Sequence, residues 1–316
     1  MRYTRFCIGK IIFPSEVVEI FAKRTDLAME AHELWRAQAN GKELRGVEST
    51  QRERCGYAVT AVRVTDEEAG RALGKPEGTY LTLDLRSYRP HEADALERAA
   101  NAVGKELRTL LPENVRRALV VGLGNCDMTP DAIGPRAAKH VLVTRHLMQA
   151  PAFSSLTSVS VLVPGVLGST GMEAVELIRG AVRAAEPEVL IAVDALASRS
   201  LSRVCSTVQL SDTGIIPGSG VGNRRRALNK ASLRIPVLAV GVPTVVDAAT
   251  LVADLLEETG HSEIDPATLR GHDAASLMVT PRDIDAQVTE LAHIVGLGIN
   301  LALQPLSCKE LTALTE

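Results

Sequence analysis

The chain has 316 residues, 46% hydrophobic, 23% charged and only 3% aromatic, enough apolar material for one large α/β domain or two modest ones. With 35 Lys and Arg against 38 Asp and Glu, the net charge is −3. That balance supplies no attractive field for nucleic acid or an anionic membrane, and so few aromatics leave no stacking platform for bases.

Residues 1–23 have no clear period. Lys10, Glu16 and Glu19 interrupt their apolar content and no small-residue cleavage site follows, so no secretion signal is expected. No apolar run reaches the roughly 18 residues of a membrane span. Cys7, Cys55, Cys126, Cys205 and Cys308 are odd in number and never spaced as CxxC, which fits reduced thiols in a cytoplasmic protein better than a disulfide framework or a zinc site.

After the polar box 24–28, an amphipathic stretch covers 29–39, and β-like runs occupy 57–64 and 79–85. A helical pattern spans 91–111 and is ended by Pro112. From 118 onward, continuous apolar runs alternate with helical signals. ALVVGLG (118–124), VSVLVPG (159–165), VLIAVDA (189–195) and PVLAVGVP (236–243) read as strands apolar on both faces, the pattern of parallel strands sandwiched between helices. Thr129 and Pro130 predict an N-cap and a first helical position. Thr170 with Glu173 predicts a capping box for a helix that runs to Pro187. A terminal helix is predicted over 280–303. The alternation predicts an α/β fold, a doubly wound, mostly parallel sheet with helices on both faces.

Ligands of such sheets bind beyond the carboxyl ends of the strands, where strand order reverses. The residues that follow each strand are therefore the candidates: Asn125, Cys126, Asp127 and Asp131 after the first, Asp194 immediately after 189–193 of the third, and Thr244 and Asp247 after the fourth. Asp131 has two readings. It can complement a helix dipole, or the same dipole can keep it ionised as a general base. Asp194 can be the N-cap of the ALASRS segment (195–200), or a carboxylic acid whose pKa is raised by its apolar neighbours.

Other features read as structural. GSGVGN (218–223) lacks the context of a phosphate loop, and GLGN (122–125) lacks the rest of a dinucleotide fingerprint. His140 and His146 are poorly spaced for a metal, and Arg224, Arg225 and Arg226 read as a solvated turn. Neither a GxSxG elbow nor an HExxH helix occurs.

A set of collinear strings carries a more specific signal. RTDLAMEA (24–31), VVGLGN (120–125), TPDAIGP (129–135), VPGVLGSTGME (163–173), VDALASRS (193–200), SDTGIIPGSGVGN (211–223), GVPTVVDA (241–248) and LMVTPRDID (277–285) closely resemble the germination (spore) protease family in wording and order. The resemblance covers 24 to about 303.

It implies an aspartic-type endopeptidase that degrades the small acid-soluble proteins coating DNA in dormant spores. Its essential aspartates correspond to Asp131 and Asp194, with Asn125, Asp127 and Asp247 in reserve near the site. It further implies a self-processing zymogen, with residues 1–23 as candidate propeptide and 24–316 as one peptidase domain. Glu19, Ile20, Phe21, Ala22 and Lys23 have the character of the processing region. No cofactor or metal is expected, and a homo-oligomer, a tetramer by resemblance, is expected in the cytoplasm of the forespore or spore core.

The fold implied is phosphorylase/hydrolase-like, similar to that of the hydrogenase maturation endopeptidases. That kinship keeps a metal-dependent maturation peptidase as an alternative, alongside a non-enzymatic binding module. Asp127 departs from the family pattern by adding a third acid, and the stretch between Val246 and Leu277 looks short.

Overall fold

The computed structural model describes residues 25–218, 225–259 and 277–315. The processing region Glu19–Lys23, most of GSGVGN and most of the short stretch before Leu277 lie outside the described residues.

In chain order the elements are α1 (Ala28–Gln38), β1 (Val47–Arg54), β2 (Tyr57–Val64), α2 (Glu67–Leu73), β3 (Gly78–Asp84) and α3 (Ala95–Leu110). Then come β4 (Arg117–Gly122), α4 (Ile133–Ala138), β5 (Ser158–Leu162), α5 (Leu167–Thr170), α6 (Ala174–Ala185) and β6 (Val189–Ser198). The chain continues through β7 (Thr207–Ser211), α7 (Lys230–Leu233), β8 (Val237–Asp247), α8 (Ala248–Glu258), β9 (Met278–Val279), α9 (Ile284–Leu303) and α10 (Cys308–Thr315).

One sheet runs β1-β2-β3-β7-β8-β6-β4-β5, with β9 paired to β8. The strands β5, β4, β6 and β8 are mutually parallel, and β7, β3, β2 and β1 extend the sheet antiparallel from β8. The parallel part is doubly wound: from β4 the chain moves outward to β5, then returns to the other side of β4 as β6. Strand order therefore reverses between β4 and β6, the place where ligands of such sheets bind.

The period-two alternation of β4 and β6 sends side chains to two cores. Val120, Ile191 and Val193 pack with Val103, Ile133, Val295 and Ile299 of the helices on one face. Leu119, Val121, Leu190 and Ala192 pack with Val175 and Ile178 of α6 on the other. α9 is long and apolar enough to cross a membrane by composition alone. Its residues from Leu291 to Leu303 are nearly all buried, and it lies against α3 and α4, as a core helix does.

Local expectations shift in three places. Thr129 and Pro130 open a 3-10 turn, Thr129–Asp131, rather than the helix; the Thr129 hydroxyl donates to Asp285 Oδ1 (2.6 Å) instead of capping. The predicted 170–186 helix is broken by Gly171 in the left-handed conformation, and the cap bond runs from the Glu173 N–H to the Glu176 carboxylate (3.3 Å). β6 continues to Ser198, so Asp194 lies within a strand and caps no helix.

Candidate active site

β4 ends at Gly122 and the chain must turn at once under α4. Gly124 makes that turn with φ +111°, and a Cβ there would stand 2.0 Å from the Asp131 carbonyl oxygen, so only glycine fits. A Cβ on Gly134 would meet the carbonyls of Leu123 (2.2 Å) and Val193 (2.5 Å), which lets α4 sit directly on the ends of β4 and β6. The Leu123 N–H donates to the Val193 carbonyl (2.8 Å) and closes the same junction. The turn is held from β8 as well, where the buried Thr244 hydroxyl donates to the Pro130 carbonyl (2.6 Å).

This framework brings Asp131 and Asp194 to the reversal point between β4 and β6. Asp194 is 4% exposed. It shares a face of β6 with Leu190 and Ala192, opposite Gly241 of β8, which offers no side chain beside it. The Asp194 Oδ1 accepts from the Ala195 N–H (3.0 Å). Asp131 is half-buried, and its Oδ2 accepts from the Asn125 N–H (2.8 Å). No direct hydrogen bond joins the two carboxyls, and they interact through space.

Burial pushes the Asp194 carboxyl well above the ordinary carboxylate range; the negative charge of Asp131 and then that of Asp26 add to the rise, while the Ala195 N–H and Arg225 oppose it. Burial also raises Asp131, against the Asn125 hydrogen bond and the Arg225 charge. The helix-dipole reading of Asp131 is thus corrected: the carboxyl ends a 3-10 turn, is raised rather than lowered, and is held toward ionisation by one loop N–H and a guanidinium. Environments that separate two carboxyls in this way suit one as acid and the other as base.

The reserve residues separate into three roles. Asn125 belongs to the site through its N–H, and its Oδ1 accepts from the Asp127 N–H (3.0 Å). Asp127 is exposed, next to the exposed Cys126. Asp247 is buried, but its Oδ1 accepts from the N–H and hydroxyl of Thr250 (both 2.9 Å), the N-cap arrangement of α8. His140 stacks on His293 with ring centroids 4.5 Å apart, away from the pair. Among the described residues no three His, Cys, Asp or Glu side chains converge as a metal would require.

Two participants escaped the sequence reading. Arg225, read as part of a solvated turn, is half-buried with its charge felt at both aspartates. Asp26, on the segment before α1, is felt at Asp194 from the far side. Beside them lies a cavity of about 270 Å³ lined by Asp26, Lys75, Tyr80, Gln209, Leu196 and Gly241, its last two residues flanking Asp194 along β6 and across to β8.

The Germination protease family model matches residues 24–259, which takes in both aspartates and all of the sheet but β9. The chain belongs to the germination protease family. Similar members include the germination proteases of Caldanaerobacter subterraneus subsp. tengcongensis, 39% identical over 94% of this chain and 99% of that one, and of Clostridium perfringens, 41% identical over 89% and 95%. That of Bacillus cereus is 44% identical over 90% of this chain and 94% of its own. Among solved structures, a NiFe hydrogenase maturation protease HycI from Thermococcus kodakarensis KOD1 aligns over 61% of this chain and 98% of its own, with TM-score 0.35 and 15% identity. As a member of the germination protease family the chain is a peptidase.

Proposed function

We propose that this peptidase works by an aspartate pair, with Asp131 as general base and Asp194 as general acid. The observation that carries the reading is the convergence of two carboxyls at the strand-order reversal, one deeply buried and the other anchored by an N–H. Ionised Asp131 takes a proton from a water as it attacks the scissile carbonyl. Protonated Asp194 donates its proton to the carbonyl oxygen as the water adds. When the tetrahedral intermediate collapses, Asp131 passes the proton it took to the leaving amine and Asp194 recovers one from the gem-diol hydroxyl, so the pair titrates as a unit.

The peptide lies extended across the carboxyl edge of the strands, with one side chain in the cavity between Leu196, Gly241 and Lys75. Exposed Met128, Val163, Leu167 and Met172, on the segments following β4 and β5, offer apolar contacts along the same edge.

The substrates are the small acid-soluble proteins of dormant spores, cleaved during germination in the spore-core cytoplasm by a homo-oligomer. Residues 1–23 are removed by self-processing at the Glu19–Lys23 region. The family membership and the position of the matched region, which begins at residue 24, support this part of the reading.

The test is incubation of the purified full chain, and of its Asp131→Asn and Asp194→Asn variants, with acid-soluble spore protein, with and without chelator. Peptide release and the chain's own N-terminal mass are followed together. Wild type alone is expected to cut both, with chelator present or not. Cleavage by either Asn variant at the wild-type rate sinks the aspartate mechanism; loss of wild-type cleavage with chelator assigns the chemistry to a metal.

A further inference from the structure

RTDLAMEA (24–31) supplies neither carboxyl of the pair, yet its described part ends up against the strand that carries Asp194. β6 pairs regularly with β8 up to Leu196, where the register slips, so that Pro243 faces Leu196 and Val245 faces Ala197. The extra residue, Thr244, lies on β8, so the slip bends β8 and interrupts the ladder groups beside it. Asp26 takes those of Ala197: its N–H donates to the Ala197 carbonyl (2.9 Å), and its Oδ2 accepts from the Ala197 N–H (2.8 Å).

One helical turn later Glu30, 1% exposed, accepts from the Arg199 N–H (2.7 Å) and the Ser200 N–H (3.1 Å) and pairs with Arg203 Nη1 (3.1 Å). The strap bearing the two acids is itself pinned. Lys75 Nζ donates to the Asp26 carbonyl (2.8 Å), and the Gln209 side chain accepts from the Ala28 N–H (2.7 Å) while donating to the same carbonyl (3.1 Å). Hydrogen bonds from backbone N–H groups to buried carboxylates are the strong kind.

We propose that Asp26 and Glu30 are positioning residues, a carboxylate clamp that holds the end of β6 beyond the β8 bulge and thereby aims the Asp194 carboxyl at the scissile bond. The proposal rests on Asp194 being the catalytic acid. It also sets a boundary for maturation: any N-terminal trimming that leaves an active enzyme must stop before Asp26.

Among the described residues, the charged groups felt at Asp194 are Asp131 from the turn after β4, Asp26 from the strap and Arg225; β8 presents Gly241. Asp26→Ala removes both the hold on Ala197 and a negative charge. Asp26→Asn keeps an acceptor for the Ala197 N–H and removes the charge.

The test is the pH profile of kcat and KM on a spore-protein peptide, in the full chain, for Asp26→Ala, Asp26→Asn, Glu30→Gln and Asp194→Asn. Asp26→Ala is expected to lose 10- to 100-fold in kcat with KM within about twofold, as misaimed groups do. Asp26→Asn recovers most of that loss, and its alkaline limb moves to lower pH, because the charge that favoured the protonated acid is gone. Glu30→Gln loses kcat to an intermediate extent.

Wild-type kcat in folded Asp26→Ala overturns the clamp, as does an alkaline limb unmoved in Asp26→Asn. Should Asp26→Ala not fold, that limb and Glu30→Gln carry the test. Activity surviving in Asp194→Asn sinks the catalytic reading instead, whatever Asp26 does.

Discussion

The two halves of the sheet bury carboxylates in opposite ways. In the parallel half, Asp194 has no ion pair among the described residues, and burial, only partly opposed by the charge of Arg225, raises it well above the ordinary range. In the antiparallel half, Glu106 of α3 is fully buried under two arginines of β1: Arg54 Nε lies 2.6 Å from its Oε1, and Arg52 closes on the other oxygen. There burial pushes the carboxyl up, but the hydrogen bonds of Arg52 and Arg54 reverse the effect and leave it lowered. An acid satisfied by partners recovers its burial cost, whereas one left in an apolar wall costs stability and marks a candidate for chemistry.

The signs follow by linkage. Asp194, raised in the folded state, costs nothing below the unfolded value near 4, and its burden grows as pH rises toward the folded value. Glu106, lowered in the folded state, contributes fully above the unfolded value and loses that contribution as pH falls through the folded one.

The largest expected effect is on catalysis in the parallel half. Asp194→Asn should lower kcat by roughly 10²- to 10⁴-fold, the range for one acid–base group. Yet it should melt no lower than wild type at neutral pH, since it removes a buried carboxyl whose desolvation outweighs the opposing charge of Arg225. Calorimetry beside peptide assays checks both; a variant that is inactive because it is unfolded would break the contrast.

Next comes Gly134→Ala, which drives a methyl into two strand carbonyls and should cost about 3 kcal/mol, the upper end of overpacking. Urea titration measures it, and a cost under about 0.5 kcal/mol would mean that α4 does not sit on the strand ends as described. Smaller still, Glu106→Gln should cost about 1–2 kcal/mol, discounted from the buried-pair range because both guanidiniums are about a third exposed. It should flatten the acid limb of stability and leave kcat alone. An altered kcat would show that the antiparallel half reaches the chemistry through α3.

The halves also differed in how far the sequence could be read. Strands apolar on both faces, as at 118–124 and 189–195, announce a parallel core, and TPDAIGP and VDALASRS placed both acids at its edge. β1, VESTQRER, escaped notice because only Val47 among its residues is buried and its pairing partner is an adjacent hairpin strand rather than a core. β7 escaped because TVQLS alternates polar and apolar residues over only five positions, although every one is buried.

The roles of Asp26, Glu30 and Arg225 were illegible for another reason. Their partners lie about 170 residues away along the chain for the two acids, and 225 − 194 = 31 and 225 − 131 = 94 residues away for the arginine, and no local period records a contact of that kind. Asp247 was the reverse case: a carboxylate after a strand reads as a site residue, but three residues on, the N–H and hydroxyl of Thr250 make it a cap.

The most direct test follows the aspartate carboxyl carbons by NMR through a pH titration, in wild type, Asp194→Asn and Asp131→Asn. The account predicts one resonance, absent from Asp194→Asn, that titrates well above the ordinary range and moves to lower pH when Asp131 loses its charge. If every aspartate titrates near its ordinary value, or if that resonance ignores the Asp131 substitution, the two carboxyls are not a coupled pair.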